Sequence, residues 1–203
     1  MTRTAISDTP SDSNNHGPGR TDISGSRHQI KGNASEKVKD LASTIFSHFI
    51  DAKGCSYNSN IGRKLKFSEI NVLGSLDLKT VGVGNDLSVE TVFEVVVDQD
   101  MCNLYGTLHG GCAAYLVDPC SSASLVALGL LLGTDGTGVS QSMNLIWHHP
   151  IYKDMKISIK STSMYITGRV RTARCEIWSG NKLCVSAVHS TINPVAKANK
   201  ARL

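Results

Sequence analysis

Apolar residues recur every three or four positions near the start of the chain, and this spacing predicts a helix. The segment from Glu36 to Lys53 carries one apolar stripe, formed by Val38, Leu41, Ile45 and Phe49. Asn33 with Glu36 resembles a capping box at its start, and Gly54 is a plausible stop at its end. We therefore expect an amphipathic N-terminal helix.

Further along, the pattern becomes typical of strands on both sides of one long apolar segment. Two runs rich in Val and Leu, 70–83 and 87–97, are separated by the turn residues Gly84-Asn85-Asp86. After the apolar segment that reaches Leu132 come four more strand-like runs: 139–148, 155–164, 169–178 and 183–192. The predicted order is one helix, two strands, one long helix and four strands, which indicates an α+β fold.

The segment from Gly110 to Leu132 is long enough to raise the alternative of a membrane span. Its single charge, Asp118, would cost roughly 2.5–3.5 kcal/mol at the centre of a bilayer. A helix that is apolar all round and flanked by antiparallel strands is better explained as the core helix inside a sheet. We expect no membrane span.

Composition sets the limits of the domain and of its partners. The chain has 203 residues and a net charge of +4, with its Lys and Arg scattered, which speaks against nucleic acid as the main partner. We divide it into a disordered tail (1–33), a helix with linker (34–66), one domain (67–193) and a C-terminal tail (194–203). The six cysteines include no C-x-x-C pair and predict free thiols in a reducing compartment, the cytoplasm. A mitochondrial location is the alternative, although acidic residues interrupt the first 33 residues.

The stretch from Asn103 to Asp118 carries the candidate chemistry. Gly110 and Gly111 open the long helix, where bare N–H groups suit an oxyanion hole; a tight turn is the equally good alternative. Asp118 is the lone carboxylate of an apolar helix and the natural general base or nucleophile. We expect His109 to orient the loop near Asn103. The pair His148-His149 is expected to be solvated, and Cys112 is a weak alternative nucleophile without an adjacent base.

Helix geometry adds a prediction about assembly. His109 and Asp118 are nine positions apart, which is about 180° around a helix and about 13.5 Å along its axis. One helix cannot bring the Gly110 N–H and the Asp118 carboxylate to the same carbonyl carbon. If both groups act in one site, two chains must supply them, and a two-fold dimer would hold two equivalent sites.

The motif Asn103-x-x-Gly106-Thr-Leu-His109-Gly110-Gly111, with Asp118 nine residues beyond the His, resembles hotdog thioesterases of the phenylacetate-degradation type. The resemblance covers roughly residues 67–193, including Val139 to Asn144. It implies a hotdog fold, a curved antiparallel sheet around one long helix, with chains joined edge to edge as dimers and tetramers. It also implies fatty acyl-CoA as substrate and no cofactor or metal.

The resemblance further implies a role for each matching residue. Asp118 would activate water, Gly110 would polarise the thioester carbonyl, Asn103 would position it with His109 in support, and Ser140 would orient the water. Gly111, and Arg169 after the turn at Gly168, are further candidates for binding substrate. Pro119 departs from a regular helix and predicts a kink beside Asp118. The alternatives are a hotdog hydratase or dehydratase and a non-catalytic acyl-CoA-binding protein.

Overall fold

A computed structural model describes residues 29–54, 56–74 and 87–194. Its helices are α1 (Glu36–Asp51), α2 (Ser59–Gly62) and α3 (Gly110–Leu132). Its strands are β1 (Lys66–Leu73), β2 (Ser88–Val96), β3 (Val139–Trp147), β4 (Lys156–Thr167), β5 (Val170–Ser179) and β6 (Lys182–Ile192). The predicted order of the long helices and the strands is therefore confirmed, and the short helix α2 lies in the predicted linker between α1 and β1. The turn at 84–86, the end of the first predicted strand, most of the N-terminal tail and residues 195–203 lie outside the described ranges.

The strands form one antiparallel sheet in the order β1-β2-β4-β5-β6-β3. Helix α3 packs against β2, β4, β5 and β6, so its apolar surface is covered by the concave side of the sheet. It is long and apolar enough to cross a membrane, but most of its residues are buried within the domain. This burial is what a core helix requires, and β3 is left at the edge of the sheet with β6 as its one neighbour among the described strands.

Helix α1 packs against α3 and extends the core beyond the sheet. The ring of Phe46 on α1 lies 4.5 Å from Phe93 on β2 and 5.8 Å from Phe67 on β1, measured between centroids. Phe67 and Phe93 stack at 4.1 Å. Stacked and tilted aromatic pairs at these distances add to the free energy gained by burying the rings. The N-terminal helix is therefore part of the hydrophobic core.

The face that α1 buries differs from the predicted stripe. Val38 is buried as expected, but the other buried apolar residues are Ala42, Phe46 and Ile50. Leu41 and Phe49 from the predicted stripe are 41% and 43% exposed. The helix carries two adjacent rows of apolar residues. The row that packs into the core contains Ala42, Phe46 and Ile50, each one position after a residue of the predicted row.

The start of α1 also departs from the prediction. Ser35 is the N-cap, because its hydroxyl accepts from the Val38 N–H, so the capping box of Asn33 with Glu36 is wrong. Asn33 instead uses its amide to bond both backbone groups of Val72. Lys31 pairs with β1 through backbone hydrogen bonds to Ser68 and Ile70. Residues 30–33, which the sequence assigned to the tail, are thus held along the outer edge of β1.

Candidate active site

The loop before α3 is shaped by the side chain of Asn103. Its Oδ1 accepts from the N–H groups of Tyr105, at 2.9 Å, and Thr107, at 3.2 Å, and its Nδ2 donates to the Thr107 hydroxyl. Gly106 takes the left-handed conformation, with φ +71°, that closes this tight turn. Asn103 is therefore fixed within its own loop, and its hydrogen bonds do not involve His109.

His109 is the N-cap of α3. Its Nδ1 accepts from the Gly111 N–H at 3.0 Å, and its own backbone N–H donates to the Met101 carbonyl at 2.8 Å. The cap therefore occupies the Gly111 N–H, one of the two backbone donors predicted at this end. The Gly110 N–H has no acceptor within the described part of the chain, as expected for the first turn of a helix. Gly110 is thus the donor that is free to meet an oxygen atom.

A cleft of about 530 Å³ opens beside Gly110. Asn103 and Gly110 both line it. The other lining residues come from the loop before α3, from the end of β3 and the residues after it, and from β6: Thr107, Leu108, Trp147, His148, His149, Pro150, Ile151 and Val185. A larger depression of about 1210 Å³ runs along α1 and contains none of the predicted site residues. The smaller cleft is therefore the one that joins two of the predicted groups.

Apart from Asn103 and Gly110, the cleft residues were not among the predicted site residues, and three of them are notable: Trp147, His148 and His149. The Trp147 ring faces Gly110, since a methyl group added there would lie 3.6 Å from it. His148 and His149 are exposed, as predicted, but they also line the cleft. His148 Nε2 bonds the Ser186 hydroxyl at 2.8 Å, and His149 Nδ1 donates to the Leu183 carbonyl at 2.8 Å. An aromatic residue at the end of a strand gives no sequence signal for such a position.

Asp118 lies two turns further along α3 with its side chain 51% exposed. The Ser140 hydroxyl on β3 donates to Asp118 Oδ1 at 3.0 Å, so the predicted pair of residues is in contact. The helix continues through Pro119 rather than ending there. Pro119 is buried among the core residues of α3, and its missing N–H removes one backbone hydrogen bond from the middle of the helix.

A buried histidine that the sequence analysis missed completes this part of the site. His189 on β6 is fully buried and lies between Ser121 of α3 and Ser140 of β3. Its Nε2 is 3.5 Å from Asp118 Oδ1. Burial lowers the pKa of His189 below its usual value, and the negative charge of Asp118 opposes that shift.

The candidate groups thus form two separate clusters in one chain. One cluster, at the start of α3, contains Asn103, Gly110 and Trp147. The other cluster, near the middle of α3, contains Asp118, Ser140 and His189. Gly110 and Asp118 are eight residues apart, or about 12 Å along the axis of α3. A single carbonyl group cannot contact both, as the helix arithmetic predicts.

Two further candidates lie apart from these clusters. Arg169, the candidate for substrate binding, uses its Nε to donate to the Asn193 carbonyl at 3.2 Å, and its role stays a prediction. Cys112 is buried, and this burial raises the pKa of its thiol to about 11. The thiolate, which is the nucleophilic form, is therefore disfavoured at neutral pH. No group of three His, Cys, Asp or Glu side chains within the described ranges could hold a metal ion.

No protein-family model and no characterised protein sequence matches the chain. Among solved structures, zebrafish thioesterase superfamily member 2 matches with a TM-score of 0.56 and 21% identity, over 76% of this chain and 97% of that one. The mouse thioesterase superfamily member 2 matches with a TM-score of 0.54 and 19% identity, over 80% and 100%. The fold is the hotdog fold. The predicted fold class is confirmed, and so is the resemblance to this group of structures.

In hotdog terms, α3 is the central helix and the six strands are the sheet that wraps it. The structural matches, with TM-scores of 0.56 and 0.54, establish this shared fold. At about 20% identity, the chemistry has to be argued from the residues themselves. Helix α1 and residues 30–33, which run along β1, are additional to the sheet and the central helix. They too are parts of the domain.

Proposed function

We propose that this protein hydrolyses fatty acyl-CoA thioesters to a free acid and coenzyme A, at a site completed by a second copy of the chain. The observation that carries the proposal is the division of the site. The Ser140 hydroxyl holds one oxygen of the half-exposed Asp118 carboxylate, and the free N–H of Gly110 lies at a cleft lined by both apolar and polar residues. A general base and an oxyanion donor are the two groups that thioester hydrolysis requires.

The chemistry follows from these two groups. Asp118 takes a proton from a water molecule as the water oxygen attacks the thioester carbonyl carbon. The Gly110 N–H stabilises the negative charge that develops on the carbonyl oxygen. When the intermediate collapses, the carbon–sulfur bond breaks, and the proton passes to the departing sulfur, giving the acid and free coenzyme A. Asn103 lies beside Gly110 in the cleft and positions the carbonyl.

Features of the edge strand β3 support the proposal that a second copy of the chain completes the site. Three of its apolar residues, Val139, Ile146 and Trp147, are more than half exposed, which is unusual for a nine-residue strand of a monomer. Its one neighbour among the described strands is β6, so its other edge is free to pair. A matching strand from another copy would cover these side chains and satisfy the free backbone groups.

The same strand links the two clusters. Ser140 contacts Asp118 near the start of β3, and Trp147 lies beside Gly110 at its end. These residues are seven positions apart, or about 23 Å along an extended strand. If two copies of β3 pair antiparallel about a two-fold axis, the Ser140 end of one lies beside the Trp147 end of the other. Asp118 would then face the cleft that contains the partner's Gly110.

Mixing two inactive variants tests this composite site. Asp118→Asn and Asn103→Ala should each inactivate both sites of its own homodimer. In a mixed dimer, Asn103 and Gly110 of one chain meet Asp118 of the other, so one intact site is restored. Random pairing makes half the dimers mixed, so co-refolded equal amounts should recover about a quarter of wild-type activity.

The assay is release of free thiol from a panel of acyl-CoAs of different chain length. Exchange of subunits is verified by mass, with each variant refolded alone as the control. Mixed dimers without recovered activity would contradict the two-chain site. Wild-type protein that binds acyl-CoA but releases no thiol would instead favour a non-catalytic binding protein. Hydration of enoyl-CoA, followed by loss of enoyl absorbance, would favour the hydratase alternative.

A further inference from the structure

The fully buried His189 has a hydroxyl group at each ring nitrogen. Nδ1 lies 2.7 Å from Ser121 Oγ, and Nε2 lies 3.0 Å from Ser140 Oγ. Ser140 in turn donates to Asp118 Oδ1 at 3.0 Å. The four side chains thus form one continuous line from the interior of the domain to the half-exposed carboxylate.

The number of protons available determines which group donates and which accepts in each of these hydrogen bonds. A serine hydroxyl has a single proton to donate. If Ser140 gives its proton to the Asp118 carboxylate, its oxygen must accept from His189, so Nε2 carries the ring proton. Burial keeps the ring neutral, because it lowers the pKa of His189. Nδ1 is then an acceptor and receives the Ser121 proton.

The opposite tautomer fits the same contacts poorly. With the proton on Nδ1, the lone pair of Nε2 would face Ser140, whose proton would have to turn away from Asp118. The carboxylate would then lose the hydrogen bond that Ser140 donates to Oδ1. Ser121 has a second acceptor, the Asp118 main-chain carbonyl, but that oxygen is 3.1 Å away against 2.7 Å for the ring nitrogen.

We propose that His189 is a positioning residue which, as the neutral tautomer protonated at Nε2, directs the Ser140 hydroxyl onto Asp118. This inference rests on the proposed function for its catalytic meaning. Oδ1 is held by Ser140, and Oδ2 has no hydrogen-bond partner within the described residues, so Oδ2 is the oxygen that faces water. His189 itself touches neither water nor substrate in this arrangement, and it acts through Ser140.

The tautomer can be observed without any enzymatic assay. In the full-length protein labelled with ¹⁵N-histidine, NMR distinguishes a protonated from an unprotonated ring nitrogen, and the spectrum of His189→Gln assigns the signal. We expect His189 to be neutral with its proton on Nε2, and Asp118→Asn to weaken that preference. A proton on Nδ1, or a charged ring at neutral pH, would overturn the proposal whether or not the protein is a thioesterase.

Turnover measurements test the positioning role. His189→Leu removes the donor and should lower kcat about tenfold with little change in KM, the effect of losing one hydrogen bond that orients the base. The side-chain amide of His189→Gln can donate to Ser140 and should recover most of the lost turnover. Thr191→Val is the matched control, because Thr191 is buried on the same strand and its hydroxyl has no partner among the described residues.

A second variant keeps the test decisive if His189→Leu does not fold. Ser121→Ala removes the donor at the far end of the line and leaves Asp118 and Ser140 in place. It should lower kcat a few-fold at constant KM and shift the ring proton away from Nε2. Unchanged kcat in a folded His189→Leu, or in Ser121→Ala if His189→Leu does not fold, would contradict the positioning role. Wild-type protein inactive on every thioester would refute the proposed function and leave the NMR result standing.

Discussion

A methyl group on Gly110 would lie 3.6 Å from the Trp147 indole, at ordinary van der Waals distance. Gly110→Ala should therefore fold normally, with a melting temperature at or above that of the wild type, since Ala favours a helix more than Gly does. The methyl group would occupy the space through which a carbonyl oxygen approaches the N–H. We expect kcat to fall by about 10- to 10³-fold, up to the full loss of an oxyanion donor. Steady-state kinetics with a thermal melt would check this, and near-normal turnover would exclude Gly110 as the donor.

The charge of Asp118 is the subject of the second prediction. Asp118→Asn keeps the shape of the side chain but removes its basicity, so kcat should fall about 10²- to 10⁴-fold while KM changes little. Asp40→Asn, an exposed position on α1, is the matched control and should retain wild-type kinetics. A fall in binding rather than in turnover would show that Asp118 holds the substrate and is not the base.

Arg171 provides a prediction about stability. Its buried guanidinium donates to the main-chain carbonyls of Asp135 and Arg169, which ties the loop after α3 to β5. Arg171→Ala leaves the Asp135 carbonyl without this donor, while the Arg169 carbonyl still accepts from the Asn193 N–H, and should lower the free energy of unfolding by about 2–4 kcal/mol. Arg174→Ala, on the outward face of the same strand, should change it by less than about 0.5 kcal/mol. Urea unfolding of the two variants would decide whether this buried arginine stabilises the loop.

Cys112 is expected to be inert. Because its thiol has a pKa of about 11, almost none of it is thiolate between pH 7 and pH 9, where model thiols ionise. Cys112→Ala should therefore retain turnover within about threefold, and the shape of the pH–rate profile should not change. Loss of activity in a well-folded Cys112→Ala protein would indicate that the Cys112 thiol is the nucleophile, and would contradict the mechanism in which Asp118 activates water.

The buried His189 predicts a pH dependence of stability. Its folded pKa is lowered, so below its unfolded value of about 6.5 the unfolded chain takes up a proton that the folded chain does not. The contribution of neutral His189 is present above that pH and is lost as the pH falls towards the folded pKa. Unfolding free energies measured from pH 7 to pH 5 should fall more steeply for the wild type than for His189→Gln. Equal slopes would mean that folding does not lower the pKa of His189, and a shallower wild-type slope would mean that folding raises it.

The sequence predicted the fold well because its strongest signals are local. Alternation in the later strands and the long apolar run of α3 each specify an element without knowledge of its neighbours. The buried face of α1 was missed because two adjacent apolar rows, one with Leu41 and one with Ala42, satisfy the same spacing. Only the position of α3 decides between them.

The site divides in the same way. The motif from Asn103 to Asp118 is compact in sequence, and the contact of Ser140 with Asp118 followed from the resemblance. His189 and Trp147 were missed because their partners lie 37–68 residues away along the chain, at strand pairings that periodicity does not encode. A single His among the alternating residues of β6 is indistinguishable from a solvated one until the strand's inward face is known.

The aromatic cluster that joins Phe46 to Phe67 and Phe93 has a consequence for the modularity of the molecule. The hotdog sheet cannot be separated from the helix that precedes it by cutting at the linker. A truncated chain beginning at residue 56 would expose two phenylalanine rings and part of α3 to water, and would tend to aggregate or recruit another hydrophobic surface. The helix α1, which the sequence analysis placed outside the domain, therefore covers one side of the domain's hydrophobic core.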